Sequence, residues 1–90
     1  MRVTLICQDK PGALQTRLET REAHLAHIAT SGVVEMAGPF LDESGAMTGS
    51  LVILSVASLD EAKAWAAADP YAKAGLFQSV DIREWKKVIG

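Results

Sequence analysis

Apolar and polar positions alternate in four short runs and two longer periodic ones, and these runs define the expected elements. Arg2 to Gln8 (RVTLICQ) is β-branched and apolar, and it stops at the breaker Asp9-Lys10-Pro11-Gly12. From Ala13 the period changes: Leu14, Leu18, Leu25 and Ile28 share one helical stripe, and Gly32 follows as a C-terminal glycine. Val33 to Ala37 reads as a second strand ended by Gly38-Pro39. Leu41–Met47 then reads as a polar connection, either a hairpin or a mobile loop that covers a site. Thr48 to Val56 is almost continuously apolar from Leu51 onward, which predicts a strand covered on both faces. Ser58 and Glu61 form a capping-box pair, and the helix they open carries Ala62, Trp65 and Ala66 until Pro70 stops it. A Tyr71–Gly75 turn leads to a last strand over Phe77–Trp85.

The order β-α-β-β-α-β predicts an α+β, ferredoxin-like fold: an antiparallel sheet with both helices on one face. Such a sheet leaves its other face bare, whereas the third strand is apolar on both sides. Two sheets stacked face to face, a dimeric α/β barrel, reconcile the two. Composition points the same way. Ninety residues make a single domain with a marginal core of its own, yet 49% of them are apolar. A homodimer interface is the expected cover for that surplus.

Nine basic against eleven acidic residues, a net charge of −2 and no basic run leave no footprint for nucleic acid. No run is long enough for a membrane span or a signal peptide, and Cys7 is alone, so a cytoplasmic protein without disulfides is expected. Cys7 falls inside the first strand and reads as a core residue.

Polar groups on apolar faces mark candidate chemistry. On the first helix the apolar stripe spans about 80° of arc at about 100° per residue. Arg21 lands inside it, His24 and Arg17 lie on its shoulder, and His27 points almost the opposite way, toward solvent. On the second helix Asp69 follows Ala62, Trp65 and Ala66 at helical spacing, at a C-terminus where the helix dipole disfavours an acid. With both helices on one sheet face, His24 and Asp69 can meet beside Arg21. The plainer readings are a structural histidine, an Asp-Pro turn and an arginine that pairs with Glu19 or Glu22 at the surface. Two histidines three residues apart with one distant cysteine are too few ligands for a closed zinc site, and no phosphate-binding glycine loop or nucleophile elbow exists. No metal and no cofactor are expected.

The motifs together resemble the YciI (YCII-related) family. Arg21-Glu22-Ala23-His24-Leu25 fits its R-x-x-H-L signature, Gly38-Pro39 its "GP" and Gly49-Ser50 its "G-S". Ser58–Ala62 fits its second-helix start, Asp69-Pro70-Tyr71 its "DPY", and Ala74–Phe77 and Trp85–Val88 its last segments. The resemblance covers residues 1 to 90 and implies a dimeric α/β barrel. It further implies a site built on His24 and Asp69, with Arg21 and Ser50 as substrate-binding neighbours. The family includes a dehydrochlorinase of a chlorinated hydroxyquinol, and related barrels include isomerases and cofactor-free monooxygenases. The expected function is therefore a cofactor-independent lyase or isomerase acting on a small anionic cyclic or aromatic metabolite. The alternative is a non-catalytic module that binds a small ligand in the same pocket.

Overall fold

The computed structural model describes all residues, Met1 to Gly90. Its elements are β1 (Arg2–Asp9), α1 (Leu14–Ser31), β2 (Val34–Leu41), β3 (Met47–Ser55), α2 (Leu59–Ala68), α3 (Pro70–Lys73) and β4 (Phe77–Trp85). The sheet runs β2-β3-β1-β4 with every pairing antiparallel, which is the ferredoxin-like arrangement. β1, the most apolar-alternating segment, is central. Val3, Leu5 and Cys7 face the helices beside Val52 and Leu54 of β3, and Ala62 and Trp65 of α2 close the core over them. No helix is long and apolar enough to cross a membrane.

Local chemistry explains the joints. Gly32 ends α1 in the left-handed region at φ 67°, as its position predicts. Ser58 Oγ accepts from the Glu61 N–H at 3.1 Å, while Glu61 Oε2 reaches back to the Ala57 N–H at 3.0 Å, a variant of the expected capping box. Trp65 Nε1 donates to Ser31 Oγ at 2.9 Å and ties the two helices together.

Several expectations are corrected. β2 does not stop at Gly38-Pro39 but runs through it to Leu41. It is an edge strand, and an edge tolerates a proline that donates nothing to the ladder. The connection after it is a short hairpin turn. Asp42 Oδ1 accepts from the Ser44 and Ala46 N–H groups at 2.9 and 3.0 Å, which draws the segment closed. Tyr71–Gly75 is not a simple turn either: Pro70 opens the four-residue helix α3, where its missing N–H costs nothing.

The leucine stripe of α1 is not its buried face. Leu14, Leu18 and Leu25 are 41–50% exposed, and the residues turned inward are Arg17 and His24. The helix is rotated so that a polar pair faces the sheet, an arrangement possible only where partners wait for both. On the sheet's other side Ile6, Met36, Phe40 and Trp85 remain exposed, while Ile53 of β3 is only 8% exposed.

Gly49 pairs with Gln8 in the β3–β1 ladder, and a Cβ there would collide with the Cys7 carbonyl oxygen. That oxygen belongs to the central strand and cannot move aside. Gly49→Ala is expected to cost about 1–3 kcal/mol in urea unfolding, with loss of the neighbouring Ser50 geometry. An unchanged unfolding midpoint would show that the two strands can part there.

Candidate active site

Asp69 lies between α2 and α3, and its placement removes the electrostatic objection raised by its position after α2. Its Oδ1 accepts from the Tyr71 N–H at 3.0 Å and so caps α3. The same oxygen sits 2.8 Å from Nδ1 of His24. Both residues are buried, Asp69 at 2% and His24 at 6% exposure. A carboxylate that already accepts from one N–H accepts from the imidazole as well, so Nδ1 carries the proton. In the neutral ring Nε2 is then a bare acceptor. It has no partner in the chain, and since no fully buried side-chain nitrogen or oxygen lacks one, Nε2 is not completely sealed from solvent.

Tyr71 fixes the plane of that ring. Its phenol stacks on the His24 imidazole with centroids 4.0 Å apart and planes 17° from parallel, and Phe77 meets its edge at 6.0 Å. Burial pushes the Tyr71 phenol's pKa up, with Arg17 and Arg21 pulling the other way. α3 thus delivers two residues, the acid that orients His24 and the ring that holds it flat.

Arg17 is the second anchor. Its Nε and Nη2 meet the two oxygens of Asp9 at 2.8 and 2.9 Å, and Nη2 also donates to Ser50 Oγ at 2.8 Å. Its guanidinium carbon lies 4.8 Å from the Tyr71 ring centre. Burial works against the charge, yet Asp9 and Tyr71 together outweigh it and leave the guanidinium's pKa raised. Cys7, paired with Ser50 across the ladder, has its thiol pushed up to about 12 by burial and by the charge of Asp69. It is an inert core thiol.

His24, Arg17, Ser50 and Tyr71 line one cavity of about 160 Å³ between α1, β3 and β2, closed on its apolar side by residues such as Leu25, Pro39 and Val52. A larger groove of about 510 Å³ runs between the β1–α1 turn and the β2–β3 hairpin. It holds no histidine and none of the expected site residues, so volume does not locate the chemistry. No cluster of three or more metal-ligating side chains is present.

Of the four expected site residues, His24 and Asp69 are joined directly, and Ser50 lines the same cavity. Arg21 also lines it, but as an exposed residue at its rim with no ion pair, not as a member of a buried stripe. His27 does not face solvent: it is half-buried, donates from Nε2 to the Trp65 carbonyl at 3.2 Å and packs on the indole at 4.5 Å. Arg17 is placed beside His24 on the shoulder of the stripe but not among the expected site residues, and its partner Asp9 is not anticipated at all. The available signal is phase, because residues seven apart, such as Arg17 and His24, lie about 20° apart on a helix.

Comparison with known proteins identifies the family. The model of the YCII-related domain matches residues 1–86. Protein YciI of Escherichia coli is 40% identical over 98% of this chain and 99% of its own length. Among solved structures, the 5-chloro-2-hydroxyhydroquinone dehydrochlorinase TftG of Burkholderia phenoliruptrix, in complex with 2,5-dihydroxybenzoquinone, superposes with a TM-score of 0.87. It shares 34% identity over 96% of this chain and 94% of its own. A NIPSNAP family protein of Agrobacterium tumefaciens, 22% identical over 91% of this chain and 87% of its own, has a TM-score of 0.54 and shares the fold. With its motifs, its sheet order and these relatives in agreement, the chain belongs to the YCII-related family.

Proposed function

We propose that this protein is a cofactor-independent lyase or isomerase that moves a proton on a small, anionic, cyclic molecule. The observation that carries this reading is the buried 2.8 Å contact between His24 Nδ1 and Asp69 Oδ1, made by a histidine that also lines a cavity. His24 is the general base and acid, since imidazole exchanges protons near neutrality. Asp69 holds the tautomer and stabilises the imidazolium once the proton has moved. Arg21, the unpaired cation at the rim, attracts the substrate's carboxylate or phenolate. Ser50 hydrogen-bonds an oxygen of the substrate. The likeness to TftG supports elimination of chloride from a chlorinated hydroxyhydroquinone as one reaction of this class. Incubation with 5-chloro-2-hydroxyhydroquinone and a panel of small cyclic acids, followed by chloride release and mass analysis, tests it. Conversion in any member supports the reading, whereas a stabilising ligand recovered unchanged favours a binding module.

The working unit in this reading is a homodimer joined through the bare sheet face. Exposed Ile6, Met36, Phe40 and Trp85 lie on that side, and large apolar side chains left bare are costly for a small monomer. Sedimentation is expected to give the mass of two chains, and Met36→Asp, a change at a 65% exposed side chain, is expected to give a folded monomer. A wild-type monomer at micromolar concentration would remove the dimer.

A further inference from the structure

Arg17 has a role that its burial alone does not explain. Both oxygens of Asp9 are bound to its guanidinium, so its charge is answered inside the protein and is poorly placed to serve as a ligand's counter-ion. Beside the Tyr71 ring, 4.8 Å from its guanidinium carbon, it keeps one further hydrogen bond, 2.8 Å from Nη2 to Ser50 Oγ, and that bond has a fixed direction. A guanidinium only donates, so this bond occupies a lone pair of Ser50 and leaves the hydroxyl hydrogen to go elsewhere. No carbonyl or carboxylate of the chain takes it: Ser50 Oγ has Arg17 as its single partner. Arg17 and Ser50 are each 3% exposed, so neither side chain is free to reorient, and Ser50 borders the same cavity as His24. A hydroxyl that accepts from a buried cation is also polarised into a stronger donor.

We propose that Arg17 is a positioning residue that makes Ser50 an obligate hydrogen-bond donor into the cavity. The site therefore selects molecules with an anionic or carbonyl oxygen beside the proton that His24 removes. The second half rests on the proposed role of His24; the first half does not. Charge that develops on that oxygen as the proton leaves meets a donor already in place, with no reorganisation needed.

The probe is 2,5-dihydroxybenzoquinone, a planar vinylogous acid whose visible band reports the hydrogen bonds to its oxygens. It is titrated into wild type, Ser50→Ala, Arg17→Lys and the double variant, with folding checked by circular dichroism. Ser50→Ala is expected to weaken binding by about tenfold, the worth of one hydrogen bond to a charged oxygen. Arg17→Lys keeps the charge beside Asp9 but lacks the fork that reaches Asp9 and Ser50 together, so it should lose a similar factor. The double variant should bind no more weakly than Ser50→Ala, and the bound ligand's band shift should shrink equally in all three. Three results overturn the proposal: additive losses, an Arg17→Lys protein that melts earlier yet binds and absorbs like wild type, or no saturable binding by wild type. The tautomer of His24 is read without any ligand, so failure here and failure of the His24–Asp69 pair are separable.

Discussion

Replacing His24 by alanine is expected to reduce turnover by about 10²–10⁴-fold, the usual contribution of a positioned general acid or base. His27→Ala is expected to leave the rate close to that of wild type. The two histidines lie three residues apart on α1 and share one chemistry, so the contrast isolates position. His24 has a carboxylate on Nδ1 and lines the cavity. His27 spends its Nε2–H on the Trp65 carbonyl, and its ring packs on the indole between α1 and α2. Losing His27 should lower the melting temperature through that packing without touching the reacting atoms. The comparison is made on the substrate found by the conversion panel, with both variants checked for folding. Equal losses, or no loss in either, would remove His24 from the chemistry.

The largest effect on stability is expected at Arg17. Arg17→Met leaves the Asp9 carboxylate buried, at 6% side-chain exposure, with no cation. Breaking such a pair from one side costs about 3–5 kcal/mol, because the remaining charge has neither water nor partner. A domain of this size has roughly 5–15 kcal/mol in total, so the variant is expected to lose a large fraction of its stability. Urea unfolding measures the loss. Replacing both residues, Arg17→Met with Asp9→Leu, should recover much of it, since the double change removes the stranded charge as well as the pair. A single-variant loss below about 1 kcal/mol would put the pair in the class of solvated surface bridges and contradict its burial. Arg17→Lys keeps a cation beside Asp9, which is why it and not Arg17→Met serves the binding cycle.

The element order was legible from periodicity because strands and helices here carry clean period changes, with breakers at Pro11-Gly12 and Gly32 and a cap at Ser58. The boundaries at Gly38-Pro39 and Pro70 were less legible. Proline forbids a donated hydrogen bond, but whether the chain needs one depends on whether the strand lies at an edge and whether a new helix begins there. The orientation of α1 was not legible. Three leucines outweigh two polar residues in any hydrophobic pattern, whereas the fold turns Arg17 and His24 inward because Asp9, Ser50 and Asp69 answer them from other elements. Those partners are 8, 33 and 45 residues away: Asp9 sits on another element, and Ser50 and Asp69 lie outside any local window. The pairing of His24 with Asp69 could be anticipated because each breaks the pattern of its own helix. Tyr71 breaks no pattern, so its stacking on His24 could be found only from the structure.

The central claim is that Asp69 fixes His24 as the Nδ1–H tautomer and leaves Nε2 as the base. Long-range ¹⁵N–¹H correlation of the imidazoles, at a pH where the rings are neutral, reads this directly, with His27 as an internal reference of opposite kind. The account predicts a proton on Nδ1 of His24 and none on Nε2, and a proton on Nε2 of His27, which donates to the Trp65 carbonyl. A His24 ring protonated on Nε2 instead would mean that Asp69 does not hold it, and the proposed base would be lost.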